Sequence, residues 1–79
     1  MPDKRYGIII FELNGEYYHH NIRDECYDDF EKNMHNFGMR FVASRRDITE
    51  GEIDRAIQKA KGLVIRLKEG IEVDFDKEF

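Results

Sequence analysis

The fold of this chain is decided by residues 6–20, which read Tyr6-Gly7-Ile8-Ile9-Ile10-Phe11-Glu12-Leu13-Asn14-Gly15-Glu16-Tyr17-Tyr18-His19-His20. They predict a strand over Tyr6 to Leu13 and a return strand over Glu16 to His20. Asn14-Gly15 is typical of a type I′ turn, because both central positions of that turn need positive φ. A two-residue turn sets the register of the hairpin. The expected pairs are Leu13 with Glu16, Glu12 with Tyr17, Phe11 with Tyr18, Ile10 with His19, and Ile9 with His20.

A first helix is predicted after the hairpin, with Asn21 or Asp24 as its cap. Its apolar residues recur at helical spacing and are Cys26, Tyr27, Phe30, Met34 and Phe37. Gly38 is expected to end this helix, since glycine readily adopts the left-handed conformation that follows many helices. A third strand is predicted over Met39 to Arg45.

The second helix is predicted from a capping box, Thr49-Glu50-Gly51-Glu52, in which the Thr49 hydroxyl accepts from the Glu52 amide and the Glu52 carboxylate reaches the Thr49 amide. Its apolar stripe consists of Ile53, Ala56, Ile57 and Ala60. Gly62 is expected to end it. The short apolar runs Leu63 to Leu67 and Ile71 to Phe75 are interpreted as two further strands, joined by a turn that contains Gly70.

The predicted element order is β-β-α-β-α-β-β, and it defines the fold class. Each helix connects two strands and has one apolar stripe, so both helices are expected to lie on one face of a mixed sheet. The prediction is an α+β or α/β two-layer sandwich, formed as a single small domain over residues 1–79.

Composition and charge limit the classes of function. The chain has 79 residues, of which 41% are hydrophobic and 38% charged, with a net charge of −4. An acidic balance disfavours sequence-independent binding to nucleic acid, which depends on phosphate neutralisation. The longest apolar run, Ile8 to Phe11, is too short for a signal peptide or a membrane span. The single cysteine, Cys26, cannot form an internal disulfide and fits a reducing compartment, so the predicted location is cytoplasmic.

No catalytic, cofactor or metal site is predicted. His19 and His20 are neighbours on a strand and point to opposite faces, so they cannot chelate one ion together. His35 stands apart from both. Cys26 lies on the apolar stripe of the first helix among acidic residues, which predicts a buried and unreactive thiol. The protein is therefore expected not to be an enzyme, and a small enzyme without a recognisable motif is the weakest alternative.

Alternation along the strands predicts a core face and an open face of the sheet. If both helices cover the sheet face that carries Ile9 and Phe11, the side chains at the alternate positions stay exposed on the other face. The residues expected on this open face are Ile8, Ile10, Tyr17, His19, Arg40, Val42, Val64 and Arg66. Apolar surface bordered by tyrosine and arginine is typical of protein interfaces. This face is predicted to bind a protein partner or a second copy of the chain.

Charge is unevenly distributed and offers two other surfaces. An acidic patch on the first helix, formed by Asp24, Glu25, Asp28, Asp29 and Glu31, is the alternative site for a basic protein partner. A basic half between Arg40 and Lys68 is the alternative site for nucleic acid. Its residues are Arg40, Arg45, Arg46, Arg55, Lys59, Lys61, Arg66 and Lys68.

The leading hypothesis is a non-enzymatic interaction protein, a small acidic cytoplasmic adaptor or inhibitor of the phage or plasmid type. It would bind a protein partner, or itself as a homodimer, through the open sheet face. A nucleic-acid-binding module that uses the basic half is the alternative from a different class. Salt-dependent binding to DNA or RNA would separate the two hypotheses. A membrane is not among the expected partners.

Overall fold

A three-stranded sheet lies at the centre of the computed structural model, which describes residues 4–79. The strands are β1 (Arg5–Leu13), β2 (Glu16–Arg23) and β3 (Arg40–Thr49), in the order β2-β1-β3. Both neighbours of β1 run antiparallel to it, so β2 and β3 run in the same direction with β1 between them. The run Ile8 to Phe11 is apolar on both faces of the strand, which predicts an interior place in the sheet, and this prediction is confirmed.

The hairpin of β1 and β2 has the predicted turn and register. Asn14 and Gly15 adopt φ angles of 54° and 83°, as a type I′ turn requires. All five predicted cross-strand pairs, from Leu13 with Glu16 to Ile9 with His20, are present. The strand β2 is longer than predicted and continues through Arg23.

Two helices pack on the sheet, and a third short helix lies near the C-terminus. They are α1 (Asp24–Asn33), α2 (Ile53–Lys68) and α3 (Phe75–Glu78). A 3-10 helix over Met34–Phe37 extends α1 as far as Gly38, whose φ of 75° is the left-handed conformation predicted for the end of this helix.

The two long helices lie on opposite faces of the sheet and not on one face. Ile8 and Ile10 of β1 belong to a buried cluster with four residues of α2, namely Ala56, Ala60, Leu63 and Val64, and with Ile48. Ile9 and Phe11, which have the other parity, belong to a second cluster with Tyr27 and Met34. The α+β class is confirmed, but the three-stranded sheet is antiparallel and not mixed. The layers are α1, sheet and α2, so the two-layer prediction is wrong. Because β1 is covered on both sides, Ile8, Ile9 and Ile10 are all 0% exposed.

The predicted strands Leu63 to Leu67 and Ile71 to Phe75 are absent from the sheet. The first run is the C-terminal half of α2, which passes through Gly62 without ending. Leu63, Val64 and Leu67 follow Ala60 at intervals of three, four and seven residues, which is helical spacing as well as strand-like composition. The second run forms no ladder within residues 4–79. Instead Val73 and Phe75 pack against the α2 cluster.

The start of α2 differs from a standard capping box. Thr49 is the last residue of β3, and the Thr49 Oγ1 donates to Glu52 Oε1 at 2.9 Å. The Glu52 amide donates to the Thr49 carbonyl at 3.0 Å, which forms a turn between β3 and α2. Thr49 and Glu52 therefore do connect β3 to α2. They do so through a hydrogen bond between their side chains and through a backbone turn. The N-cap of α2 is Glu52 and not Thr49.

Candidate partner-binding site at the β2 edge

The sheet face predicted to be open is covered by α2. Ile8 and Ile10 are 0% exposed and Val64 is 5% exposed, so these three residues belong to the core. Val42 is half-buried against the same cluster. The prediction of an open face is wrong because it assigned Leu63 to Leu67 to the sheet. These residues instead extend α2 to 16 residues, long enough to lie over the face that was expected to be exposed.

The polar residues assigned to the open face are dispersed. Arg40 Nε donates to Glu12 Oε1 at 2.9 Å across the β1–β3 pair, and this hydrogen bond lowers the pKa of Glu12. Arg66 Nη1 donates to Glu78 Oε1 at 2.7 Å and attaches α3 to α2. Tyr17 and His19 lie half-buried on β2, beside α2. Of the predicted set, Tyr17, His19 and Val64 line one groove beside α2, whereas Ile8, Ile10 and Val42 lie in or against the buried cluster.

The predicted acidic patch is largely neutralised by arginine. Arg46 of β3 lies over the Tyr27 ring at 4.1 Å from its centroid and donates to Asp24 at 3.0 Å and to Asp28 at 3.1 Å. The hydrogen bond from Arg46 lowers the pKa of Asp24. Glu25 pairs with Arg23 at 3.6 Å. Of the five predicted acids, only Asp29 and Glu31 have no ion pair within the described part of the chain.

Half of the predicted basic surface is also paired with carboxylates. Arg40, Arg46 and Arg66 bind acids as described above, and Arg45 lies 3.6 Å from Glu52. Across residues 4–79, the other four members form no ion pair, namely Arg55, Lys59, Lys61 and Lys68. All four lie on α2.

The two edges of the sheet differ in regularity. The register of β3 against β1 shifts twice, and each shift adds one residue to β3. Val42 is the extra residue of one shift, and in the other Arg46 and Asp47 together face Gly7. Asp47, in the second of these shifts, has a φ of 59°, the left-handed conformation. Bulges of this kind protect an edge against pairing with another strand. By contrast, β2 pairs with β1 over eight successive residues without a shift.

Backbone groups of β2 point outward at regular intervals. The turn hydrogen bond from residue i to i+3 makes Leu13 and Glu16 a hydrogen-bonded pair, and such pairs alternate along an antiparallel ladder. Tyr17, His19 and Asn21 occupy the intervening positions, so their N–H and C=O groups are directed away from β1. No strand within residues 4–79 pairs with this edge.

An apolar groove follows the β2 side of α1. We call it the α1 groove; its volume is about 460 Å³. Its lining residues are Ile22, Cys26, Asp29, Phe30, Asn33, Met34, Phe37 and Met39. Phe37 is 68% exposed, an unusual state for a phenylalanine. His20 of β2 stacks on Phe30 with ring centroids 4.8 Å apart and fixes the helix to the strand.

Cys26 lies in the α1 groove and is exposed, so the prediction of a buried thiol is wrong. Cys26 and Tyr27 both fitted the apolar stripe of the helix. The sheet, however, lies against Tyr27, which is 3% exposed. Arg46 of β3 lies over the Tyr27 ring, while the neighbouring Cys26 lines the α1 groove instead.

A second groove lies between the β2 edge and α2. This α2 groove has a volume of about 340 Å³ and is lined by Tyr17, Tyr18, His19, Lys61, Val64, Ile65 and Lys68. Lys68 Nζ lies 5.9 Å from the ring centroid of Tyr18, so its charge is beside the edge. Ile65 is 53% exposed at the margin of the groove.

His19 provides the polar group of the α2 groove. Its Nδ1 is buried and has no hydrogen-bond partner among the described residues. Burial lowers the pKa of His19, and the nearby charges of Lys61, His20 and Lys68 lower it further. The imidazole is therefore neutral at pH 7, and the positive potential of the groove comes from the two lysines.

The site at the β2 edge thus consists of outward backbone groups with a groove on each side. Sequence reasoning missed it because it treated the second strand as ending at His20 and both helices as sharing one face. Two signals in the sequence pointed to it. Asn21 and Arg23, on either side of Ile22, continue the polar-apolar alternation of the second strand. The residues from Ala60 to Leu67 have helical spacing, which indicates a longer second helix.

Comparisons with protein-family models, with curated proteins and with solved structures found no match for this chain. Within residues 4–79, no three histidine, cysteine or acidic side chains are grouped so that they could hold a metal ion. None of the helices in the described residues is long and apolar enough to cross a membrane.

Proposed function

We propose that the protein is a non-enzymatic interaction module that binds an extended segment of a protein partner by strand addition along β2. The observation that carries the proposal is the regular β2 edge, which has unpaired backbone groups and a groove on either side. An extended peptide gains affinity from main-chain hydrogen bonds to such an edge and specificity from side-chain pockets. Binding of this kind suits an adaptor or an inhibitor.

Exposed apolar side chains around the edge support the proposal. Phe37 and Ile65, at 68% and 53% exposure, border the two grooves. Leaving a large apolar side chain in water forgoes about 1.5–3 kcal/mol of burial. A strand added to β2 would bring its own side chains next to both residues and cover part of this surface.

Nucleic-acid binding has weaker support. Four of the eight predicted basic residues are bound to carboxylates, and the net charge of the chain is −4. The remaining cations of α2 are too few to neutralise many phosphates, and the salt dependence of nucleic-acid affinity follows that number.

The test is selection of peptides from a random library displayed on phage, with the wild-type protein as target. Asn21→Pro is the blocking variant, because proline removes an outward N–H of β2 and is tolerated at a sheet edge. Asn21→Ala is the matched control, since it removes the same side chain and keeps the N–H. Selected peptides should bind wild type and Asn21→Ala alike and lose at least tenfold in affinity for Asn21→Pro.

Amide hydrogen exchange locates the bound peptide. The amides of Tyr17, His19 and Asn21 should exchange more slowly in the complex, while those of β3 should not change. The proposal is wrong if the library yields no binder, or if the binders protect only helix surfaces and bind the proline variant as tightly as wild type.

A further inference from the structure

We infer that the bound segment carries acidic side chains in alternation with apolar ones, the acidic set facing α2 and the apolar set facing α1. This inference rests on the proposed strand addition along β2 and specifies the chemistry of the partner. It follows from the different character of the two grooves, which lie on opposite faces of the same strand.

Alternation is imposed by strand geometry. In an added strand, successive side chains point to opposite faces, and the strand lies about 4.8 Å beyond β2. One set of side chains therefore enters the space beside His19, Lys61 and Lys68 in the α2 groove. The other set enters the space beside Ile22 and Phe30 in the α1 groove.

The α2 groove favours carboxylates. Lys61 and Lys68 both line it, and neither forms an ion pair within residues 4–79. Carboxylates of the partner would form ion pairs with these two lysines and would accept hydrogen bonds from both ammonium groups.

The α1 groove favours apolar side chains. It is formed chiefly by Ile22, Phe30, Met34 and Phe37, with Asp29 and Asn33 at its polar margin. Methionine and aromatic side chains adapt to the shape of an apolar ligand, and the Asp29 carboxylate repels an acidic one. Acidic side chains, which the α2 groove attracts, are thus disfavoured in the α1 groove.

A second copy of the chain is a poorer occupant of this edge. Two β2 strands can form one continuous antiparallel sheet only about a twofold axis perpendicular to it, which places both α2 helices on the same face. Lys61 and Lys68 of each copy would then meet their equivalents, and like charges across a contact are unfavourable.

The experiment uses three eight-residue peptides with valine at alternate positions and glutamate, glutamine or lysine between them. Each has a proline at both ends to prevent self-association. Their affinities for the full chain are measured by fluorescence anisotropy at low and at 0.5 M salt. The glutamate peptide should bind at least tenfold more tightly than the lysine peptide at low salt, and this preference should shrink at high salt.

A charge-reversed protein, Lys61→Glu with Lys68→Glu, should invert the preference and bind the lysine peptide best. The matched control is Arg55→Glu with Lys59→Glu, which makes the same change on α2 outside the groove and should keep the wild-type order. Circular dichroism confirms that both variants remain folded.

The outcomes separate the two proposals. If all three peptides bind equally and Asn21→Pro abolishes their binding, strand addition stands and the acidic preference is wrong. If none of them slows exchange of the β2 amides, while library-selected peptides do, the alternating pattern is wrong. If light scattering shows a dimer that Asn21→Pro dissociates, a second copy occupies the edge and the inference is overturned.

Discussion

The two faces of β1 are covered to different extents. The α2 face is covered by a helix of 16 residues, and its cluster contains seven buried residues against four in the α1 cluster. The α1 face has a helix of 10 residues, about 15 Å long, against a strand of nine residues that spans about 30 Å. The 3-10 helix extends this cover, yet Phe37 and Phe41 remain 68% and 49% exposed.

This difference separates the face that supplies most of the core from the face that carries the groove proposed for a partner. Of the five largest fully buried side chains, Ile8, Ile10, Ile48 and Leu63 belong to the α2 cluster and only Ile9 to the α1 cluster. The face that α2 seals supplies most of the buried apolar volume. The less complete cover on the α1 side leaves the apolar groove that we assign to a partner.

The largest expected effect is on the sealed face. Leu63→Ala should lower the free energy of unfolding by about 2–5 kcal/mol, because it leaves a cavity in a site that is 1% exposed. Phe37→Ala, on the exposed side of α1, should change it by less than about 0.5 kcal/mol. Urea unfolding measures both. If both variants lose the same free energy of unfolding, the α2 face does not contribute more to stability than the exposed side of α1.

A smaller effect tests whether α2 continues through its glycine. Gly62→Ala should raise the free energy of unfolding by about 0.5–1 kcal/mol, because alanine favours the helix and an added Cβ meets nothing within 4 Å. Gly70→Ala is the opposite control. Its φ of 79° is the left-handed conformation, where alanine costs about 1 kcal/mol. A destabilised Gly62→Ala would mean that α2 ends before Leu63.

The smallest effect concerns His19, which lies in the α2 groove. Its pKa is lowered in the folded protein, chiefly by burial, so the unfolded chain takes up a proton at higher pH than the folded chain does. Stability should therefore fall as the pH drops below about 6.5, the ordinary value for histidine. His19→Gln should remove this part of the pH dependence.

The control for that titration is His35→Gln, which changes an exposed histidine of the 3-10 helix. Thermal unfolding of the three proteins between pH 7.5 and pH 5, on an otherwise matched buffer series, provides the comparison. If the melting temperature of His19→Gln changes with pH as steeply as that of the wild type, His19 is not held neutral by its surroundings.

Local signals in the sequence predicted the N-terminal half well. Asn14-Gly15 determined the hairpin register, and Gly38 determined the end of the α1 segment, because each supplies a backbone conformation that few residues adopt. The continuous apolar run Ile8 to Phe11 predicted an interior strand. The prediction still left one face of that strand open, whereas both faces are covered.

The C-terminal half was predicted less well because its signals are ambiguous. Leu63 to Leu67 is short, apolar and preceded by glycine, which fits a strand, while its spacing from Ala56 and Ala60 fits a helix. The long-range packing of α2 against the sheet decides between them, and the local spacing alone does not determine that packing. The α2 groove depends on that choice, so it could not be predicted while Leu63 to Leu67 were assigned to the sheet.

The burial of Ile8, Ile9 and Ile10 has a consequence for how the chain is made. During synthesis, the apolar segment 8–11 emerges well before α2, which is formed by residues 53–68. At about 5–20 residues per second, this segment waits several seconds for its cover. Short apolar runs rich in β-branched residues associate readily between chains. The rapid closure of the Asn14-Gly15 hairpin, in about 1–10 µs, gives the nascent strand a partner from its own chain and limits its aggregation.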